Sequence, residues 1–355
     1  CLQAVEQYRQ LGPGLLMPIV EHVRCVLLSS PYADEEELEV KCHYPNGPKR
    51  TVGMVEVTLD NGVTGLGEGY LAVFAPHVFE SIVDLCAPHL VGADAFDIGE
   101  RIRDLCRVCD YWSLQGAARH VISAFDIALV DAKAKSKGVP AFDLLGGGQA
   151  KSIRMYGSGG CCYTKKRFQR EVTTLHSMGI DLYKIRALTE HIHRTAWILN
   201  EADRHGIEVG VDMCQNLANP AQPVDDVVAY VEAVHQHTDH RIVFLEEAIG
   251  PADPAGFKAL RRRIEPKVCG GEIITTPAEM IDRMKDGIYD FVQPDASVIG
   301  GISATLEIFC AGQKLDTEVV VHAWGGPVAI MANYHAAFAG NAQLVEYPMF
   351  PFPLR

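Results

Sequence analysis

The sequence predicts an α/β protein whose larger part is a (β/α)8-type barrel. The first observation is a recurrence. From about residue 152, short apolar runs return as IRMYGSGG, LYKIRA, EVGVDMC, IVFLEE, KVCGGE, FVQPD, VVVHAW and LVEYP. Helix-length stretches separate most of them. Strand alternating with helix implies parallel strands joined by crossovers, and eight of them in about 200 residues fit a barrel. The second observation is where the runs end. In order, the ends carry Lys184 and Arg186, Asp212, Glu246 and Glu247, Glu272, Asp295, His322 and Glu346. A barrel brings such ends to one mouth.

The elements before the barrel read differently. VRCVLLSS and VGMVEVTL are rich in β-branched residues, and Asn61-Gly62 after the second is a hairpin turn signal. Between them PYADEEELEVKCHYPNGPK reads as a polar loop. Residues 77 to about 137 read as helical. HVISAFDIALVDAKAK has apolar residues at helical spacing, followed by Gly138 as a stop. The triple glycine at 146–148 reads as a linker, because a phosphate cradle needs a following Lys-Ser/Thr or a G-x-G-x-x-G turn. Residues 1–16 lack the order of a signal peptide and read as an extension, with Met17 as a native start.

Composition narrows the function. The 355 residues allow a large core and two domains. A net charge of −13 argues against nucleic acid as a partner, while a local cation can still serve a small anionic substrate. No run of about 18 apolar residues exists, so no membrane span is expected. Eleven scattered cysteines read as reduced thiols of a cytoplasmic protein. Cys106 and Cys109, and the adjacent Cys161 and Cys162, lack the second pair that structural zinc requires.

Any single charge at a strand exit reads as a surface group. The set does not, because carboxylates gathered at one mouth repel one another unless something positive sits among them. Asp212, Glu246 and Glu272 fall on three successive strands, an all-oxygen set that suits Mg²⁺. Strand alternation turns Glu247 the other way, outward or behind the ligands. Asp295 and His322 follow on the next two strands. An acid beside a histidine fixes its tautomer and raises its basicity, as a general base needs. Lys184 supplies positive charge across the mouth. The reaction class that fits is removal of a proton α to a carboxylate, with the metal stabilising an enediolate.

The residues resemble those of the enolase superfamily, in its mandelate racemase-like subgroup. The matches are VDMCQN, FLEEAI, VCGGEI, VQPDASVIGG, VVVHAWGG and LVEYP, with GLGEGY and HVISAFDIALVDAKAKSKGVPAFDLLGGG upstream. They cover residues 17 to 348. The resemblance implies an α+β capping domain over 17–148 and a modified (β/α)7β barrel over 149–348. It implies Mg²⁺ on Asp212, Glu246 and Glu272, an Asp295–His322 dyad, and Glu346 bonded to a carboxylate oxygen of the intermediate. It implies specificity loops near 32–49 and 71–77, and a homo-oligomer. Two departures stand out. Racemising members carry Lys-x-Lys on the second strand, where this chain has Lys184-Ile185-Arg186. Arginine does not act as a base. Residues 349–355 form a tail shorter than the family's, which packs back on the capping domain.

One histidine can still remove the α-proton and then protonate a leaving β-hydroxyl. The leading expectation is therefore a sugar-acid dehydratase giving a 2-keto-3-deoxy acid, with Arg186 binding the substrate. An epimerase or cycloisomerase, and a metal-binding barrel without turnover, are the alternatives. Three features read as decoys. His191-Ile192-His193 lies after the second strand, not at the end of the first as in metal-dependent hydrolases, and reads as surface or packing. Ser158 lacks the nucleophile-elbow glycines. Arg261–Arg263 read as a solvated helix face.

Overall fold

In the computed structural model, residues 17–31, 49–147, 152–159, 164–349 and 353–354 are described. The N-terminal unit begins with an antiparallel sheet in the order β1 (Val20–Pro31), β2 (Lys49–Leu59), β3 (Thr64–Gly69). The hairpin between β2 and β3 turns at the expected place. Gly62 takes a φ of 80°, and the Asn61 side chain accepts from the Val63 N–H at 3.1 Å. Three longer helices follow: α1 (Pro76–Cys86), α2 (Ile98–Ser113) and α3 (Ala117–Lys137). A short α4 (Ala141–Leu144) ends the unit. Gly138, at φ 66°, stops α3 in the left-handed conformation that glycine adopts freely.

Sheet and helix meet through glycine. Alternate residues of a strand share a face, so Gly65, Gly67 and Gly69 all turn toward α3. A Cβ on Gly67 would stand 1.8 Å from the Ala124 carbonyl oxygen, and one on Gly65 2.1 Å from that of Ala128. Gly67→Ala is expected to destabilise the fold by about 3 kcal/mol through overpacking. Equilibrium denaturation checks this, and an unchanged midpoint would mean that sheet and helix part without cost.

The second sheet has eight parallel strands. In chain order the elements are β4 (Arg154–Ser158), α5 (Lys165–Ser177), β5 (Leu182–Arg186), α6 (Ile192–Asp203), β6 (Glu208–Asp212) and α7 (Val224–Gln236). Then come β7 (Ile242–Glu246), α8 (Pro254–Arg263), β8 (Lys267–Gly270), α9 (Pro277–Lys285), β9 (Phe291–Val292) and α10 (Gly301–Leu315). The series ends with β10 (Glu318–Val319), α11 (Pro327–Gly340) and β11 (Leu344–Pro348). The strands neighbour one another as β10-β9-β8-β7-β6-β5-β4-β11. A parallel bridge between Val321 and Val345 joins the two ends. Seven helices between eight strands make a (β/α)7β barrel. Tyr156, Leu182, Phe244, Cys269, Phe291 and Val320 form one cluster, and a larger one lies between strands and helices.

The two units share a core. Ala296, Ile302, Ala332 and Ala336 from the barrel side join the cluster built around α3. Near the end of the chain, Leu354 packs against Val52 and Met54 of β2. Among the described residues, no helix is long and apolar enough to cross a membrane. Six described cysteines are free thiols, but Cys310 is disulfide-bonded, which corrects the expectation of reduced thiols throughout. Disulfide pairing follows proximity in the fold, which scattered spacing does not encode.

Candidate active site

The mouth of the barrel is built by register. Arg186 pairs with Asp212, and Asp212 with Glu246, so three charged residues stand level on adjacent strands. Strand alternation explains the spacing: Ile185, Val211 and Leu245 face the helices, and the charged residues between them face inward. Glu272 lies just past β8 and His322 just past β10. Arg186, Asp212, Glu272 and His322 all line one cavity of about 470 Å³. Beneath them Lys184, Glu246, Asp295 and Glu346 are buried.

Lys184 organises the buried layer. Its Nζ lies 2.5 Å from Glu246 Oε1 and 2.9 Å from Glu346 Oε1. Burial opposes the ammonium, but the two carboxylates outweigh it and hold the lysine well above its usual range. Gln293 Nε2 donates to the other oxygen of Glu246 at 2.5 Å. The Ala323 N–H donates to Glu346 Oε2 at 2.7 Å. Burial pushes against the Glu346 carboxylate, yet Lys184 and His322 bring it down to about 2. Glu246 goes the other way. Burial, with Asp212, Glu346 and Glu272 nearby, pushes it up to about 8 against the pull of Lys184.

The dyad is closely held. His322 Nδ1 is 2.8 Å from Asp295 Oδ2. Asp295 Oδ1 accepts from the Ser297 N–H and hydroxyl at 2.7 Å each and from Asn333 Nδ2 at 2.9 Å. Burial works against the Asp295 carboxylate, but these bonds keep it below the usual range. The far ring nitrogen, His322 Nε2, lies 3.3 Å from Glu272 Oε2. Burial disfavours the imidazolium, but Glu272, Glu346 and Asp295 prevail and raise His322 to about 10.

Arg186 has a different setting. Its Nε is 3.5 Å from Asp212 Oδ2, and its guanidinium lies 4.4 Å from the centre of the Trp324 ring. The N-terminal unit holds the loop bearing Trp324. Arg50 donates to the Trp324 carbonyl. Glu68, in the GLGEGY stretch, accepts from the Gly326 N–H at 2.6 Å and from the Ala329 N–H at 3.0 Å, at the start of α11.

Three carboxylates of the all-oxygen set thus lie within electrostatic reach of one another. The rise at Glu246 marks a place short of positive charge, and the donor chemistry fits a hard divalent cation. A side chain and a backbone amide meet these acids in this arrangement: Asn216 Nδ2 donates to Glu272 at 2.7 Å, and the Cys214 backbone N–H to Asp212 at 2.8 Å. Among the described residues, no three His, Cys, Asp or Glu side chains form a ready-made metal cage.

One acid falls where alternation puts it, and one histidine does not fall where it was expected. Glu247 lies behind the ligand set, one of its two expected placements. It is fully buried, with a φ of 42°, and accepts from the Gly271 N–H at 2.7 Å. Its side chain shares the helix-facing side of the sheet with Gly270 and Tyr289. Burial, then Glu272, pushes the Glu247 carboxyl up to about 8. His191, read as surface or packing, lines the cavity. Its Nδ1 accepts from the Leu188 N–H at 3.0 Å and from Arg194 at 2.8 Å, which puts the ring proton on Nε2. His193 instead packs on His237, with ring centres 4.5 Å apart. Of the two expected specificity segments, 71–77 reaches the cavity through Leu71 and Phe74, while 32–48 lies outside the described residues.

Comparison with known proteins sets this geometry in a family. Residues 44–146 match "Mandelate racemase / muconate lactonizing enzyme, N-terminal domain". Residues 167–354, more than half the chain, match "Enolase C-terminal domain-like". The chain belongs to the enolase superfamily. Within the superfamily it is 25% identical over 284 residues to the D-gluconate dehydratase of Thermoproteus tenax, covering 78% of this chain and 56% of that protein. It is 26% identical over 310 residues to the D-galactonate dehydratase of Xanthomonas euvesicatoria pv. vesicatoria, covering 82% and 77%. Among solved structures, the 3,6-anhydro-D-galactonate cycloisomerase of Zobellia galactanivorans superposes with a TM-score of 0.81 at 23% identity, over 95% of this chain and 89% of that one. A Bradyrhizobium enolase complexed with magnesium and mandelic acid superposes with a TM-score of 0.77 at 20% identity, over 94% and 89%. These structures share the superfamily fold.

Proposed function

We propose that the protein is a Mg²⁺-dependent hydro-lyase that dehydrates a sugar acid to a 2-keto-3-deoxy acid. One observation carries the reading. A buried His322–Asp295 dyad stands at the mouth, and the second-strand position that would hold an opposing base is Arg186. A guanidinium does not exchange protons at working pH, so Arg186 does not supply an opposing base. Syn elimination needs only one acid/base group. In its neutral form, reached once Glu272 no longer faces it as a free carboxylate, His322 Nε2 takes the α-proton, and the electron pair moves into the substrate carboxylate. The pair then returns to form the α,β double bond, the β carbon–oxygen bond breaks, and the same imidazolium gives its proton to the departing hydroxide as water. The enol left behind tautomerises to the 2-keto acid.

Asp295 keeps the ring oriented and supports the imidazolium between the two proton transfers. Lys184 holds Glu246 and Glu346 in place and sets positive charge below the reacting carboxylate. Arg186, placed over the Trp324 ring, binds the substrate. Asp212, Glu246 and Glu272 would hold Mg²⁺, which supplies Lewis-acid stabilisation of the enediolate and offsets the carboxylate charge. Relatives named gluconate and galactonate dehydratases support a sugar acid as the substrate class. The same reading carries a homo-oligomer working in the cytoplasm, with no nucleic acid or membrane as partner.

The test is proton NMR in D₂O with Mg²⁺ and a panel of mono- and diacid sugars. Loss of the α-proton together with a 2-keto-3-deoxy product is the expected result. Exchange without loss of water would replace dehydration with epimerisation or cycloisomerisation. No exchange across the panel would favour a barrel without turnover. For the metal, Glu272→Gln is expected to weaken Mg²⁺ binding at least about tenfold, the lower bound seen even for groups behind the ligands. Unchanged affinity by calorimetry would remove Glu272 from the set.

A further inference from the structure

One imidazole in the cavity wall has no part in the chemistry above. His120 lies in the first turn of α3, in the N-terminal unit, and lines the cavity from the side opposite the strand ends. Its Nδ1 is closed off from solvent and has no hydrogen-bond partner among the described residues. Buried polar atoms are nearly always hydrogen-bonded, so this exception demands an explanation. Burial keeps the ring neutral, pulling it down to about 4 against the opposing influence of Asp295. A neutral ring carries one proton. A stranded N–H is rarer than a stranded acceptor, which puts that proton on Nε2. The ring is half-buried with Nδ1 on its enclosed side, so the Nε2 edge is the part left to meet the cavity. Leu71, Phe74 and Val298 are apolar members of the same lining, with Tyr70 beside them as a second polar group. A few placed donors among apolar side chains are the arrangement that fixes the orientation of a small ligand.

We infer that His120 is a specificity-determining residue that donates from Nε2 to a hydroxyl of the bound acid, selecting polyhydroxylated acids over those with an apolar or aryl chain. This rests on the proposed α-proton chemistry for its substrate class. It differs from that proposal in what it predicts. His120 is neutral and meets the dyad only through the charge of Asp295, so its loss is expected to change recognition and leave metal binding as it was.

The experiment uses the full chain loaded with Mg²⁺, with D-gluconate and D-galactonate as probes. It records kcat/KM, the Mg²⁺ affinity, thermal melting and the ¹⁵N resonances of the His120 ring, assigned by their loss in His120→Gln. In His120→Phe, kcat/KM is expected to fall about 10- to 100-fold, the range for one lost hydrogen bond with its partner left unpaired. His120→Gln keeps a donor and is expected to stay within about tenfold of the native protein. Added acid should shift the His120 Nε2 resonance. If His120→Phe does not fold, the glutamine variant and the resonance decide. Turnover that His120→Phe leaves unchanged overturns the inference and leaves the dehydratase reading standing. A resonance that moves on binding, with no turnover of either acid, keeps the inference and rules these two acids out as substrates of the proposed dehydration. A resonance that neither acid moves removes His120 from recognition.

Discussion

Replacing His322 with asparagine is expected to abolish turnover, with α-proton exchange falling about 10⁴-fold, the upper end for one acid/base group. The size follows from double duty. In the proposed reaction the same nitrogen takes the α-proton and returns a proton to the leaving hydroxyl, so its loss removes both steps. Asparagine can keep a hydrogen bond to Asp295, so the buried carboxylate is not left alone and the fold should hold. Mg²⁺ affinity measured by calorimetry should stay close to native. Exchange that continues at the native rate would remove His322 from the mechanism. A variant that retains exchange yet forms no product would divide the two proton transfers between different groups.

Lys184→Met is expected to cost about 3–5 kcal/mol of stability, as removing one partner of a buried ion pair does. Lys184 neutralises two fully buried carboxylates, Glu246 and Glu346, and methionine fills its volume without its charge. The loss should depend on pH in a definite direction. In the metal-free protein Glu246 already has a folded pKa raised to about 8, against about 4.3 unfolded. A group raised on folding contributes stability below its unfolded pKa and loses it as pH rises toward the folded value. Without Lys184 that rise is larger, so the deficit against the native protein should widen from about pH 4 upward. Denaturation in EDTA across pH 4.5 to 8 measures it. A deficit that is flat with pH would mean that Lys184 acts by packing alone.

The strand ends were legible because two periodicities agree at them. An apolar run of strand length and an ionisable residue at its inward end together specify a barrel mouth. Asp212 and Glu246 close their strands in this way, and Asp295 and His322 follow just past theirs. Glu247 obeys the alternation too, turned behind the ligands. What no residue type announced is its left-handed backbone, at φ 42°. His191 was visible as half of a metal-like pair but was judged by its place in the chain. The turn after β5 brings it back over the mouth, a matter of loop path that local sequence does not encode. His120 was hidden for another reason. It opens a helix buried on almost every side, where a polar residue at the start looks like an ordinary end. Only the assembled cavity shows which way its ring faces.

The bond from Glu68 to the loop after His322 spans 258 positions of the chain. It makes the two units poor modules for exchange. A capping unit taken from another member would bring its own carboxylate, at its own height, to a loop shaped around this one. The residues proposed to choose the substrate and the loop that follows the proposed proton-transfer group would therefore be inherited as a set. Recombination at the linker would be expected to yield folded chimeras with a displaced Trp324 more often than active ones. New specificity is reached more readily by substitutions on the cavity face of the native cap than by replacing the cap itself.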